Sequence, residues 1–249
     1  MIPLAYAQPI LYPLLVLLGF VLVFAIPKTK HIQDPRLKRQ YYILQFIMIV
    51  CAAVGAKLSV LWGDWNWPQT PMTWLQMRDA GRSITGGLLL GFWGPELAKW
   101  IMKYPLPPND TFAATLPFSL AIGRVGCLID GCCRGAPWDG PFSIVYSDGI
   151  PRHPAQAYEI LFHLIVGVSL LVCLKKKLFF GRLFCMLLIA YGSFRFFSEF
   201  IRDTPKFVQG FSAYQVLALA ILATGLGVLV KRSLYPPEEW QEYAPVKAV

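Results

Sequence analysis

The sequence predicts an all-α polytopic membrane protein with seven transmembrane helices. Of its 249 residues, 56% are hydrophobic and only 15% are charged, which is too apolar for an ordinary soluble domain. The apolar residues gather in seven runs, each near the roughly 20 residues that a helix needs to cross a bilayer. Lysine and arginine lie between these runs, so the net charge of +9 reflects membrane topology, and we expect no nucleic-acid partner.

The seven runs follow one another without an internal repeat, and we expect them to form one transmembrane domain over residues 1–249. The third run contains Gly94 and Pro95, which predict a break in its helix. It also carries Glu96 and Lys99, whose spacing predicts an ion pair on one helix face. The predicted spans are 10–26, 41–62, 85–102, 111–129, 155–174, 183–201 and 212–230.

Basic residues in the short loops predict the orientation of the chain. They are concentrated after the first, third, fifth and seventh runs, and the positive-inside rule assigns that side to the cytoplasm. The N-terminus is therefore expected outside and the C-terminus in the cytoplasm. These residues are Lys28, Lys30, Arg36, Lys38, Arg39, Lys99, Lys103, Lys175, Lys176, Lys177, Arg182, Lys231 and Arg232.

Arginines within the fourth and sixth runs mark the candidate site. An arginine inside a membrane-spanning helix costs roughly 2.5–3.5 kcal/mol on insertion scales, so Arg124 is a functional candidate by position alone. In the sixth run, four polar residues recur at intervals of four, four and three and predict one stripe along a helix. That stripe consists of Tyr191, Arg195, Glu199 and Arg202.

Two interpretations of these charges stay open. In the first, Glu199 forms a structural ion pair with Arg195 or Arg202. In the second, Arg124 and Arg195 meet at one anion near the outer leaflet, because two arginines need more negative charge than one glutamate supplies. A phospholipid phosphate fits the second interpretation, since guanidinium binds phosphate bidentately and stays charged when desolvated.

Three cysteines with the spacing C-x4-C-C lie on the predicted outer face: Cys127, Cys132 and Cys133. A disulfide is allowed there by an oxidising exterior. A zinc site with His153 is a second interpretation, although the spacing is uncommon for zinc. A reactive thiol that accepts a lipid group is the third, and small-residue packing is the fourth. The other cysteines fall in apolar runs and are expected to pack; they are Cys51, Cys173 and Cys185.

Four stretches of the chain carry a family resemblance. They are 123–126 followed by Asp130, Gly131 and Gly135; 152–159; 190–202; and Gln215. Weaker matches are Tyr12 and the pair Gly86 and Gly87. On these motifs, which span most of its length, the chain resembles the prolipoprotein diacylglyceryl transferase family.

The resemblance implies an enzyme of the bacterial inner membrane that works towards the outer leaflet without a cofactor or metal. Such an enzyme moves the diacylglyceryl group of phosphatidylglycerol, or a related phospholipid, to a lipobox cysteine thiol of a lipoprotein precursor. A thioether forms and glycerol phosphate leaves. Arg124 and Arg195 stand at the positions of the family's essential arginines, Tyr191 would hydrogen-bond in the same pocket, and Glu199 and Arg202 would hold the stripe in place. The other matched residues expected near the substrates are Tyr12, Gly86, Gly87, Gly126, Gly135, Gln156, Tyr158 and Glu159.

The chain differs from the family at the residue that is proposed to help activate the acceptor thiol. The family usually has a histidine before the glycine pair, whereas Thr85 stands here, and threonine is no general base at neutral pH. We expect the base among His153, Glu159 and Glu96, although His153 is equally explained as a residue that shapes its loop. Cys127 replaces the asparagine of the family motif, and the loop after the fourth run is short.

Two other functions stay open at this point. The missing histidine favours a divergent paralogue that transfers a phospholipid-derived group to a different acceptor. A non-catalytic membrane protein or an anionic-solute transporter is the other alternative. It would need a polar path to the cytoplasmic face, which the first, second and seventh runs do not provide.

Overall fold

The structure is a computed structural model of the chain, and it describes residues 14–15, 17–19, 21, 32, 34–63, 81–106, 108, 110–206 and 210–234. The described part is mostly helical. Its long helices are α1 Pro35–Gly63, α2 Ile84–Met102, α3 Asp110–Asp130, α4 Ala155–Lys175, α5 Leu183–Ser198 and α6 Ala213–Leu234. A short 3-10 helix, Glu199–Ile201, continues α5.

Five segments are long and apolar enough to cross a membrane: α1, α3, α4, α6, and α5 with its 3-10 extension. They coincide with the predicted second, fourth, fifth, sixth and seventh runs, with the largest shift at the start of α1, which begins at Pro35 instead of residue 41. The third run is confirmed as the helix α2. The first predicted run, 10–26, and Tyr12 within it lie largely outside the described residues.

The predicted break in the third run is wrong, because α2 continues through Gly94 and Pro95. Pro95 has no amide hydrogen to donate to the carbonyl of Gly91, which costs the helix one internal bond. Gly94 is explained by packing, since a Cβ there would lie 2.4 Å from the Cys51 sulfur of α1. The dipeptide therefore serves close contact between α1 and α2.

The fold is not purely α-helical. A small antiparallel hairpin stands between α3 and α4, in which β1 Ile144–Val145 pairs with β2 Pro151–Arg152. Ile144 lies opposite Arg152, and Val145 lies opposite Pro151. This hairpin adds two short strands to an otherwise helical structure, and it lies in the loop predicted after the fourth run.

The chain divides into two compact units, which are described separately. Among the described residues, the first unit contains α3, the hairpin, α4, the start of α5 to Leu187, and 200–203. The second unit contains α1, α2, the segment 188–199 and α6. The prediction of one transmembrane domain over residues 1–249 stays a prediction.

The first unit is held together at the end of α3 that begins with Asp110. Its carboxylate accepts the amide hydrogens of Gly181 and Leu183, at 2.5 and 3.2 Å. Amides at a helix start lack partners within the helix, so this contact caps α5 from a distant position in the chain. The core behind it is formed by fully or nearly fully buried residues of three helices: Ala113, Ala114, Leu170, Leu183 and Leu187.

Candidate functional site

In the first unit, one carboxylate joins two buried arginines. Oε1 of Glu159, in the first turns of α4, accepts from Nη1 of Arg202 at 2.5 Å. Its other carboxylate oxygen contacts Nε of Arg124 on α3. The side chains of Arg124, Glu159 and Arg202 are 10%, 2% and 8% exposed. We call these three residues the arginine trio. Its formal charge is +1, and an excess cation in so little solvent attracts an anion.

The loop after α3 positions Arg202 of the trio. The amide of Ala136 donates to the carbonyl of Ile201 at 2.8 Å, and Gly135 and Arg202 form an isolated antiparallel bridge. A Cβ at Gly135 would lie 2.5 Å from the His153 carbonyl oxygen and 3.0 Å from that of Ile201. Gly135, predicted near the substrates, is therefore required for this close backbone packing.

A second, more exposed charge network lies beside the trio. Asp148 binds Arg134 at 2.7 Å and Arg152 at 3.2 Å, and Arg152 also binds Asp203 at 2.7 Å. A hydrogen bond from the Ile150 amide lowers the pKa of Asp148, and the Arg152 and Arg134 charges add to the effect. These contacts fix the hairpin turn to the segment that carries Arg202.

A pocket of about 260 Å³ opens in this first unit. Its lining combines thiols, guanidinium groups and one carboxylate, from Cys132, Cys133, Arg134, Arg152, Arg202 and Asp203. Arg202 thus belongs both to the buried trio and to the pocket wall. An anionic group that enters the pocket reaches the edge of the trio without a change of fold.

The three predicted outer cysteines come together. The sulfur atoms of Cys127, Cys132 and Cys133 all lie within 4.8 Å of one another, and all three are free thiols. Hydrogen bonds from the Cys127 and Cys132 thiols lower the pKa of Cys133, and the Arg124 and Arg202 charges act in the same direction. The hydrogen bond to Cys127 raises the pKa of Cys132.

Two of the interpretations of the triplet are corrected by this geometry. The thiols are not joined in a disulfide. His153 is not part of the cluster, because its ring stacks on Trp138 with centroids 4.7 Å apart and an interplanar angle of 13°. The amide of His153 donates to Ala136 at 3.1 Å, as expected of a residue that shapes the loop.

The remaining predicted residues of the 152–159 stretch also organise this loop. Gln156, fully buried, donates to the Cys132 carbonyl at 2.5 Å and accepts from the Tyr146 hydroxyl at 2.9 Å. The Tyr158 ring stands 6.3 Å from that of His153. Gln156 therefore fixes the backbone of the cysteine cluster. Sequence reasoning missed Tyr146, because nothing local in the sequence indicates its contact with Gln156. Gly126 is buried within α3.

In the second unit, Arg195 and Glu199 form a buried ion pair at 2.7 Å, which confirms one predicted pairing. The Ser212 hydroxyl donates to Glu199 at 3.0 Å, and the Thr204 hydroxyl also donates to its carboxylate. The guanidinium carbon of Arg195 lies 5.3 Å from the centre of the Tyr214 ring. These partners hold Arg195 in one place and orientation, as a binding site for an anion requires.

The predicted stripe on the sixth run does not extend to Arg202. Helix α5 ends at Ser198 and tightens into a 3-10 turn, so the residue three positions beyond Glu199 leaves the helical face. Arg202 pairs with Glu159 of α4. Glu159 and Glu199 thus each bind at least one of the buried arginines.

Thr85, which stands where the family usually has a histidine, contacts the predicted site residue Tyr191 within the second unit. Thr85 is fully buried, and its hydroxyl oxygen stands 3.4 Å from that of Tyr191. A hydroxyl pair has no proton acceptor of the strength that thiol activation needs. Of the three predicted bases, Glu159 is held by two arginines and Glu96 by Lys99 and Arg232.

The neighbouring glycine pair has unequal surroundings. A Cβ at Gly86 would lie 2.1 Å from the Gly55 carbonyl oxygen and 2.5 Å from the Ser59 hydroxyl. A Cβ at Gly87 would make ordinary contacts, with the nearest atom 3.4 Å away. Gly86 is thus a packing residue where α1 and α2 meet backbone to backbone. A role of either glycine in substrate binding stays a prediction.

Arg124 lies in the first unit and Arg195 in the second, and the prediction that both bind one phosphate stays a prediction. Each arginine has its own glutamate, Glu159 or Glu199. Each is also nearly buried, at 9% and 4% of full exposure.

Comparison with known proteins places these residues in a family context. A family model described as prolipoprotein diacylglyceryl transferase matches residues 4–231. A phosphatidylglycerol–prolipoprotein diacylglyceryl transferase from Bordetella bronchiseptica is 29% identical over 87% of this chain and 88% of its own length. Proteins of the same description from Nitrosomonas europaea and Polynucleobacter asymbioticus are 30% and 33% identical, over 88% and 66% of this chain and 84% and 66% of their own lengths.

Proposed function

The chain belongs to the prolipoprotein diacylglyceryl transferase family, and we propose that it moves the diacylglyceryl group of phosphatidylglycerol to a cysteine thiol of a lipoprotein precursor. In this reaction the thiolate sulfur forms a bond to the terminal glyceryl carbon of the lipid. The bond from that carbon to the phosphate oxygen breaks, and glycerol phosphate leaves with the electron pair. The family match favours this transferase over the transporter alternative.

The observation that carries the proposal in the structure is the arginine trio. The lipid phosphate has one negative charge in phosphatidylglycerol and gains a second as it departs. Fixed guanidinium groups that oppose growing charge lower the barrier of such a step. Arg124 and Arg202 are fixed by the Glu159 carboxylate, and Arg202 also lines the pocket from which a phosphate would enter.

Arg195 is proposed as the second essential arginine, and Tyr191 as a hydrogen-bond donor near it. The Glu199 carboxylate and the Tyr214 ring support Arg195 by fixing its orientation. Catalytic groups act only when they are held within a fraction of an ångström of the productive geometry. Glu199 is therefore a positioning residue in this proposal.

We further propose seven transmembrane helices, with the N-terminus outside the inner membrane and the C-terminus in the cytoplasm. Five long apolar helices support a polytopic protein. Lys175 ends α4 and is followed by Lys176 and Lys177, and Lys231 and Arg232 lie at the end of α6. This distribution supports a cytoplasmic position for both ends. It puts the pocket of the first unit towards the outer leaflet, where lipoprotein precursors emerge.

The departure at Thr85 supports a second candidate function, transfer to an acceptor other than a lipobox cysteine. The buried Thr85 hydroxyl cannot replace a histidine as a base. An acceptor that arrives already deprotonated would not need one. The assay below separates the two functions, because it follows the lipid and the peptide independently.

The test uses the full-length protein in vesicles that contain phosphatidylglycerol and a lipobox peptide. We expect mass spectrometry to detect a peptide with one diacylglyceryl group in thioether linkage. Arg124→Gln and Arg195→Gln should each lower the rate at least about 100-fold, as the loss of a donor to a developing anion does. Consumption of phosphatidylglycerol without peptide modification would favour the second function.

Arg232→Gln is the matched control for these variants. Arg232 is also buried and also ion-paired, to Glu96 at 2.9 Å, but it lies at the end of α6 that we assign to the cytoplasm. We expect it to lower stability and leave the rate per folded molecule unchanged. Full activity of Arg124→Gln, or equal loss of activity in Arg232→Gln, would contradict the proposed role of the trio.

A further inference from the structure

We propose that Cys127, Cys132 and Cys133 bind a thiophilic metal ion, with Zn²⁺ as the expected occupant, and that its fourth coordination position receives the acceptor thiol. The metal would take over the thiol activation, because Thr85 stands where the family usually has its histidine. This inference rests on the proposed function for the identity of the acceptor, but the metal site itself does not.

The first argument is the distance between the sulfur atoms. Zinc binds thiolate sulfur at about 2.3 Å in tetrahedral geometry, which puts neighbouring sulfurs about 3.8 Å apart. The three sulfurs lie within 4.8 Å of one another. The sulfurs therefore have to approach one another by no more than about 1 Å to reach the spacing of a zinc site.

The second argument is the way in which the chain builds the cluster. Cys127 lies in the last turn of α3, and the amide of Cys132 donates back to its carbonyl at 3.2 Å. Positive φ values of 65° at Gly131 and 58° at Cys133 turn the backbone so that residues adjacent in sequence face the same point. Residues other than glycine rarely adopt a backbone conformation with positive φ. The Gln156 amide holds the turn through the Cys132 carbonyl at 2.5 Å.

The third argument is charge. Three thiolates and one divalent ion carry a net charge of −1, and the adjoining arginine trio carries +1. Nη1 of Arg124 lies 3.8 Å from the Cys127 sulfur, and Arg202 lines the same pocket as Cys132 and Cys133. Arg124 and Arg202 thus lie where their guanidinium charges stabilise thiolate ligands. Soft thiolate ligands select zinc or copper(I) over magnesium or calcium.

The fourth argument is access. Cys127 is buried, whereas Cys133 is exposed and lies in the wall of the pocket of about 260 Å³. A site with three protein ligands and one open side is typical of catalytic zinc, whereas structural zinc is closed by four. An incoming thiol would approach through the pocket and meet the metal on this side.

The chemistry of the step follows from these positions. Coordination of the acceptor thiol to the metal releases its proton to the solvent of the pocket, since a coordinating thiol is deprotonated outright. The metal-bound sulfur then attacks the glyceryl carbon, and the carbon–oxygen bond to phosphate breaks. The electron pair leaves on glycerol phosphate beside Arg124 and Arg202. No electron is gained or lost by the metal, so no oxidant or reductant is required.

The experiment measures metal binding first and lipid transfer second. The full-length protein is purified under reducing conditions, freed of metal, and titrated with Co²⁺, whose thiolate complexes absorb visibly. We expect one cobalt ion per chain with sulfur-to-cobalt charge-transfer absorption. Cys133→Ser should lose most of the bound cobalt, and the matched control Cys51→Ser, a cysteine of α1 in the second unit, should keep it.

A lipobox peptide with cysteine should then shift the cobalt spectrum, while the same peptide with serine should leave it unchanged. The inference is overturned if no cobalt binds to the reduced protein, or if Cys133→Ser binds as much cobalt as Cys51→Ser. It is also overturned if the cysteine peptide leaves the cobalt absorption spectrum unchanged. Full lipid transfer by the metal-free protein would also overturn it and leave the proposed function intact. A spectrum that responds to the thiol without any lipid transfer would instead refute the proposed function and retain the metal site.

Discussion

Replacement of Glu159 by glutamine tests the arginine trio directly. Glutamine has nearly the volume of glutamate, so the packing of α4 is preserved while the only carboxylate of the trio is removed. Arg124 and Arg202 then stay buried without the charge that they share. We expect Glu159→Gln to be strongly destabilising, because a buried guanidinium retains its charge at every accessible pH.

The expected magnitude follows from the burial of the trio. Removal of one partner of a buried ion pair costs about 3–5 kcal/mol. For a chain of this size, such a loss lowers the midpoint of thermal unfolding by on the order of 10 °C. The Glu159 side chain is only 2% exposed, so solvent screening does little to reduce the effect.

The chain offers a matched control in Asp148. This carboxylate also bridges two arginines, Arg134 and Arg152, but it is exposed to solvent. Exposed ion pairs contribute little to stability, so Asp148→Asn should change the midpoint far less than Glu159→Gln. Both variants remove one charge from a bridge between two guanidinium groups, and they differ mainly in burial.

The assay is thermal unfolding of the purified protein in neutral detergent, with and without added phosphatidylglycerol. A lipid phosphate supplies the anion that Glu159→Gln lacks, so the lipid should raise the midpoint of this variant more than that of the native protein. Equal losses in Glu159→Gln and Asp148→Asn would refute the description of the trio as a buried charge network. Equal lipid effects in Glu159→Gln and the native protein would refute its assignment as a phosphate site.

Three further predictions follow from the described contacts. Gly86→Ala should lower the free energy of unfolding by about 1–3 kcal/mol through overpacking, whereas Gly87→Ala should have little effect; both are compared by thermal unfolding. Thr85→Val removes a buried hydroxyl at constant shape and should cost about 0.5–1.5 kcal/mol by the same measurement. Because the folded state lowers the pKa of Asp148, its contribution is present above the ordinary value of about 3.9 and is lost as the pH falls through the lower folded value. The native protein should therefore lose stability below about pH 4, and Asp148→Asn should lack this part of the loss when the two are compared by thermal unfolding.

The helical segments could be predicted from the sequence because their signal is long and additive. A run of about 20 apolar residues predicts a helix even when it contains a few charged residues. The helix α2 was therefore predictable despite Glu96 and Lys99. The ion pair of these two residues was also predictable, because helical spacing places them on one face. Predictions failed where one residue decides the geometry. Pro95 does not interrupt α2, since neighbouring helices stabilise a helix through such a residue.

The partners of the charged groups were harder to predict, because they are distant in the sequence. Arg202 continues the helical spacing of Arg195 and Glu199, and only the end of α5 at Ser198 directs it to Glu159. The spacing of these residues in the sequence does not reveal that the α-helix ends before Arg202. The cysteine triplet was recognised, but the convergence of its sulfurs depends on the positive φ at Cys133, which the sequence does not indicate.

The charges of the trio also suggest how it responds to the two stages of the reaction. Phosphatidylglycerol brings one negative charge to Arg124, Glu159 and Arg202, whose formal charges sum to +1. After the carbon–oxygen bond breaks, the departing phosphate carries two negative charges. We expect the trio to favour entry of the lipid, and the second negative charge to favour movement of glycerol phosphate towards Arg134 and Arg152 at the pocket.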